Sequence, residues 1–311
     1  MANRSTVTEF LLTGFSDDRD MQILHFVMFL FIYLTALVGN FLIITAVALN
    51  HHLHSPMYFF LVNLSLVDVS YISTTVPKSL SVSLTNNRVI SFPGCVTQVF
   101  LVVTLVGFEL ALLAIMAYDR YVAICHPLQY RLIMSRSACI QMTAASGISF
   151  LLHAALETSF TFRLNFCGTN IVGQYFCDIP QLQMISCSSP KNNQLLILVV
   201  GLSLSFFSFA LIFTSYGYIL SAVLKIPSVQ GRYKAFSTCT PHLTVFSIFI
   251  VTVVFSYMKP KALSSRTVDL LSAVFYTVLP PTLNPIIYSL RNRDIQEAVQ
   301  KIPTKIKNLV A

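Results

Sequence analysis

Seven charge-poor stretches, near 23–49, 57–80, 95–118, 138–160, 193–224, 235–258 and 268–290, constrain this chain more than any other feature. At a rise of about 1.5 Å per residue each can cross roughly 30 Å of hydrocarbon as a helix. Composition agrees: 55% of the 311 residues are hydrophobic and only 10% are charged, against about 25% charged in soluble domains. A water-soluble domain could not bury that much apolar surface, so the bilayer is the solvent for much of the chain. The fourth stretch is the most interrupted, by Gln141, His153 and Glu157. The expected fold is an all-α membrane protein, a seven-transmembrane helix bundle with a short amphipathic cytoplasmic helix.

Seven crossings put the termini on opposite sides. The first residues, MANRSTVTEF, are polar, so no cleavable signal peptide is expected and the first span directs insertion. Basic residues orient the chain poorly: eleven Lys/Arg fall on the side of Arg120 and nine on the other. The net charge of +8 is therefore assigned to loop ends and lipid headgroups rather than to nucleic acid. Asn3-Arg4-Ser5 is a glycosylation sequon whose use requires an extracellular N-terminus. Asn63-Leu64-Ser65 also matches, but inside the second span. Cys95, Cys167, Cys177 and Cys187 fall in segments expected to face outward, where disulfides persist, and Cys125, Cys139 and Cys239 on the other side. Four cysteines allow three pairings, and spacing does not choose among them.

The expected organisation is an extracellular tail (1–22), a membrane domain (23–290) and a cytoplasmic tail (291–311). In that last piece Ile295, Ala298, Val299 and Ile302 share one helical face, which suits a helix along the inner leaflet. The longest connection, about 161–192, carries three of the four outward cysteines. No internal repeat is visible, which weighs against transporters built on inverted repeats.

Ionisable groups in hydrocarbon are costly and mark function by default. Asp68 lies mid-way along the second span and Glu109 mid-way along the third, with Asn40 and Asn284 at comparable depth. Two acids with amide neighbours suit a sodium ion or a shared proton; the bland alternative is a polar network holding helices together. About three turns inward from Glu109, Asp119-Arg120-Tyr121 closes the third stretch. Outward from Glu109, the same face continues through Val106 and Val102, with Val103 beside them and Gly107 leaving room. Facing positions are Val200, Gly201 and Leu204 on the fifth span, Ile250, Val253, Val254 and Tyr257 on the sixth, and Val274 and Thr277 on the seventh. A pocket so lined is apolar with two hydroxyls, which fits a small hydrophobic ligand holding one hydrogen-bonding group. No acid sits in the outer half of the third span to meet an amine, and no lysine sits in 268–290 to form a Schiff base.

The strings Leu53-His54-Ser55-Pro56-Met57-Tyr58-Phe59-Phe60, MAYDRYVAICHPLQY (116–130), Lys234-Ala235-Phe236-Ser237-Thr238-Cys239 and PPTLNPIIYSLRN (280–292) together resemble the signatures of vertebrate olfactory receptors, rhodopsin-like G-protein-coupled receptors. VTEFLLTGFS (7–16) and TVPKSL (75–80) most resemble the tetrapod-type receptors of family fourteen. The resemblance implies no enzyme. It implies a plasma-membrane receptor that binds a small volatile hydrophobic ligand, activates a heterotrimeric stimulatory G protein and raises cyclic AMP. It further implies Cys95–Cys177 and Cys167–Cys187 disulfides and a sodium ion near Ser65. The implied switch is Asp119, Arg120 and Tyr121, with Tyr216, His242 and Tyr288 rearranging around Arg120 and a kink at Asn284-Pro285 letting the end of the seventh span swing.

The chain departs from the family where Phe249-Ile250-Val251-Thr252 stands for Phe-Tyr-Gly-Thr, removing a tyrosine hydroxyl, and at Gly173, where histidine is frequent. The competing readings are an ion-coupled transporter or channel using Asp68 and Glu109, and a membrane enzyme using His153 and Glu157. Two metal ligands fall short of a zinc site.

Overall fold

A computed structural model describes residues 7–166, 169–187, 192–258 and 265–310. Seven helices in it are long and apolar enough to cross a membrane. They are α1 (Arg19–Leu49), α2 (Pro56–Thr85), α3 (Phe92–Cys125), α5 (Arg136–Thr161), α7 (Asn192–Leu224), α8 (Val229–Met258) and α9 (Arg266–Arg291). Short helices α4 (Tyr130–Ile133) and α6 (Ile179–Met184) lie in connections, and α10 (Arg293–Val310) follows the bundle.

Local chemistry starts these helices where the sequence changes from polar to apolar. Asp18 caps α1 by accepting from the Met21 amide at 3.0 Å. Ser91 caps α3 through Gly94 at 3.2 Å, and Ser265 caps α9 through Val268 at 3.3 Å. Such caps satisfy amides that a helix start otherwise leaves unpaired. Asn86 ends α2 in the left-handed region, at φ 55°, a conformation asparagine tolerates better than most residues.

The bundle's outer wall is apolar. Phe31 on α1 and Phe206, Phe207 and Phe213 on α7 are among its most exposed side chains. Large exposed rings in this number suit lipid, not water. Helices α2, α3 and α9 are the most enclosed. Where α1 crosses α9 the backbones come close: a Cβ on Gly39 would stand 2.9 Å from the Pro285 ring. Only glycine fits there.

Two features lie beyond the sequence reading. The first is a three-stranded sheet, β2-β1-β3, at the bundle end carrying the N-terminus. Strand β1 (Glu9–Leu12) is central, antiparallel to β2 (Val89–Ser91) and parallel to β3 (Ile171–Val172). Period-two alternation sends Phe10 and Leu12 inward. Phe10 packs among Phe92, Phe162 and Phe166, with ring centroids 5.4–6.4 Å apart. An Arg88–Asp17 ion pair closes one side.

The second concerns α10. Its Ile295, Ala298 and Ile302 are buried in the bundle's main cluster with Ile43, Val47 and Tyr58. The apolar stripe therefore meets protein rather than an open leaflet. Lys305 donates to the Leu49 carbonyl at 2.6 Å and to Asn50 at 2.8 Å, capping the C-terminal end of α1. Tyr58 donates to Asp294 at 3.0 Å.

Replacing Phe10 with alanine should cost about 3 kcal/mol, the usual scale for emptying a buried phenyl site. Freed β2 should then be cut faster by trypsin after Arg88. Unchanged proteolysis of Phe10→Ala would show that β1 does not hold the sheet together.

Candidate functional site

The site is distributed along α3, from the sheet end to the opposite end. At the sheet end, Cys95 in the first turn of α3 is bonded to Cys177, with Cα atoms 5.6 Å apart. This is the pairing the resemblance implies. Cys187 is also disulfide-bonded; Cys167, its implied partner, lies outside the described residues, as does Asn3. Gln98 reinforces the tie by accepting from the Cys177 amide at 2.8 Å and donating to Thr74 at 2.9 Å. Cys125, Cys139 and Cys239 are free thiols.

The anchored connection turns Tyr175 and Phe176 down into the bundle. Both are buried with Val102, Tyr71, Leu270, Ala273 and Tyr276, and Val106 and Val274 border the same cluster. The Tyr175 hydroxyl bonds Thr277, itself fully buried. Burial pushes the Tyr175 phenol pKa up, so it stays protonated. Tyr276 reaches Asp178 at 3.3 Å, and Gln174 donates to the Asp269 carbonyl at 3.2 Å. Four expected pocket residues (Val102, Val106, Val274 and Thr277) thus meet in one place, around two rings from the connecting segment.

The other expected pocket residues lie elsewhere. Val103 packs beneath the sheet. Gly107 leaves no room, because the Phe150 ring of α5 fills it and an added Cβ would sit 2.1 Å away. Gly201 faces His153 of α5 in the same way, at 2.7 Å. With Gly201 turned to α5, its neighbour Val200 is rotated about 100° onto the outer wall, where it is exposed. On α8 the buried stripe runs through Phe249 and Thr252, with Val253 half-buried. Val254 falls off that stripe and is exposed. Leu204 is half-buried, and the Tyr257 side chain lies outside the described part. The space beside Gly173 is taken by Gln181, 2.6 Å from where a Cβ would be.

Half-way along α3 the acids lie inside the bundle. Asp68 accepts from the Asn284 amide through both oxygens, at 3.2 and 3.0 Å. Asn40 donates to the Pro281 carbonyl at 2.9 Å. That carbonyl lost its helical partner because Pro285, four residues on, has no N–H. Both Glu109 oxygens, Ser65 Oγ and Asn40 Oδ1 are buried without a hydrogen-bond partner. Among the described residues no group of three or more His, Cys, Asp or Glu assembles.

At the far end Arg120 is latched. Its Nε meets Asp119 at 3.1 Å, and its Nη2 pairs with the same carboxylate. Tyr130, on α4, donates to the other Asp119 oxygen at 2.7 Å. Burial, and then the Asp119 charge, holds the Tyr130 phenol pKa above its usual value, so this donor persists. Tyr121 turns away to His126 at 2.9 Å and stands outside the latch. Tyr216 and His242 are joined at 2.7 Å, and His242 Nε2 meets the Leu113 carbonyl at 2.9 Å. A carbonyl only accepts, so Nε2 carries the proton and Nδ1 accepts from Tyr216. Tyr288 is buried with its hydroxyl unpartnered.

Tyr130, Tyr175 and Phe176 are the site residues that sequence reasoning missed. Each lies in a connection, without the helical period that located the others. The only signal was Tyr130 closing the string 116–130 and Tyr175-Phe176 directly preceding a cysteine.

A family model described as olfactory receptor matches residues 29–305. Human olfactory receptor 14A16 is 50% identical over 96% of each chain, and human olfactory receptor 14C36 is 49% identical over 98% of each. The structure of squid rhodopsin superposes with a TM-score of 0.67 at 17% identity, over 92% of this chain and 86% of that one. The fold is therefore shared with rhodopsin, and the chain belongs to the olfactory receptor family, seven-span membrane receptors for small molecules that signal through G proteins.

Proposed function

We propose that this receptor sits in the plasma membrane with its N-terminus extracellular, takes a small, mostly apolar volatile ligand beneath the sheet, and activates a stimulatory G protein that raises cyclic AMP. The observation that carries this reading is the layout of α3. One end is tied by Cys95–Cys177 to the segment lining the candidate chamber, and the other ends in the Asp119–Arg120–Tyr130 latch. Arg120 suits such a latch because its planar fork exchanges one set of hydrogen bonds for another while keeping its charge. Leu128 and Leu132 stand exposed on the connection that carries Tyr130, an apolar rim for a docking helix. The orientation is supported by a disulfide at the sheet end and free thiols toward the other.

A ligand gates such a device only by binding the open and latched states unequally. Arg120→Ala should abolish odorant-evoked cyclic AMP while surface expression persists. Tyr130→Phe removes one charge-assisted hydrogen bond from Asp119, and basal signalling should rise, by up to about tenfold. A Tyr130→Phe receptor as quiet as the parent would remove Tyr130 from the latch.

A sodium ion between Asp68 and Glu109 belongs to the same proposal. Hard cations favour oxygen donors, and two carboxylates with two unpartnered neutral oxygens supply that set. When bound, the ion would balance charge that otherwise forces the two acids to share a proton. Purified receptor should melt higher in sodium chloride than in choline chloride, and Asp68→Asn should erase the difference. Equal melting of the parent in both salts would leave the proton reading.

A further inference from the structure

The hydrogen bond between Tyr175 and Thr277 has a direction. A threonine hydroxyl carries one proton. The Thr277 hydroxyl lies 2.8 Å from the Ala273 carbonyl and 3.3 Å from the Val274 carbonyl, groups that only accept. Were Thr277 to donate to Tyr175 instead, the buried phenol would have no acceptor for its own proton among the described residues. Both arrangements of bonds are satisfied only if Thr277 donates to its own helix and Tyr175 donates to Thr277. Thr277 therefore presents an acceptor, and nothing else, to whatever lies against it.

The surroundings of that acceptor are equally specific. The Tyr175 ring lies 5.5 Å from Phe15, 6.0 Å from Phe29 and 5.0 Å from Phe176. Val102, Ala273 and Tyr276 belong to the same cluster, and Val106 and Val274 line its edge. The slot is shaped for a flat ring with a hydroxyl at its inner end, and the protein's own tyrosine fills it.

Resting on the ligand site proposed above, we propose that Tyr175 is a built-in competitor for that site, and that the ligand class able to displace it is a phenol or compact aryl alcohol. A ligand replacing Tyr175 either donates to Thr277 or forfeits the hydrogen bond that this buried oxygen now accepts. An alkylphenol makes that donation and reproduces the ring contacts. The matching methyl ether or aryl ketone has no O–H and fails at the same atom. Tyr175 leaves its place as the ligand enters, so the segment tied to α3 through Cys177 moves with occupancy.

The test compares a para-alkylphenol, its methyl ether and the aryl ketone of the same size on cells expressing the full chain, with surface staining and a cyclic-AMP readout. The phenol should act at a concentration at least about tenfold lower than either partner. Tyr175→Phe, which keeps the ring and loses the competing donor, should lower the phenol's half-maximal concentration by about fivefold. Thr277→Val should abolish the preference for the phenol, and Thr277→Ser should keep it. Equal responses to phenol, ether and ketone overturn this inference and leave the receptor assignment standing. A response to other volatiles with none to the phenol does the same. Silence toward every compound, with receptor at the surface, overturns both. The comparison on the parent chain decides the matter even if a variant fails to reach the surface.

Discussion

Hydrocarbon offers a backbone no hydrogen-bond partner, so every spanning segment must satisfy its own amides and carbonyls. The rest of this structure follows from how that rule is met and where it is strained. Helix α9 strains it most, with Pro280, Pro281 and Pro285 inside one span. Each proline frees a carbonyl one turn earlier. The carbonyl freed by Pro285 is taken by Asn40 from α1, whose approach is possible because Gly39 has no side chain to hold the helices apart. Asn284, the neighbour of Pro285, is thereby placed to grip Asp68 on α2. A backbone defect has been converted into the polar contact that joins three helices.

The same logic separates the two ends of α3. At the sheet end, hydrogen bonds and a disulfide pin a connecting segment whose aromatic residues fill the bundle. At the latch end, one carboxylate serves two donors, Arg120 and Tyr130. Between them lies Glu109, buried near Asp68 and Asn284.

The N-terminal segment closes over the sheet end of the bundle. Phe10 and Leu12 fasten the tail to α3 and to the long connection, while Phe15 packs at a tilt against Tyr175 and Phe29. The tail thus joins the sheet and the candidate ligand slot. Residues ahead of the first span take part in shaping the site rather than merely leading into it.

Sequence by itself determined the seven spans, the depth of Asp68, Glu109 and Asn284, and the position of Asp119-Arg120. These follow from local quantities, hydropathy over a window and the 3.6-residue period, which do not depend on neighbours. It also placed Val102, Val106 and Thr277 on inward stripes of their helices, and they pack around Tyr175. Only the tertiary structure decided that Gly107 and Gly201 back onto α5, and that Val200 and Val254 face outward. It alone decided that Tyr130 returns to Asp119 and that Tyr175 occupies the slot against Thr277. Helix rotation and the path of a connection are set by which side chains meet across elements, and that information is shared among distant residues rather than held in any one segment.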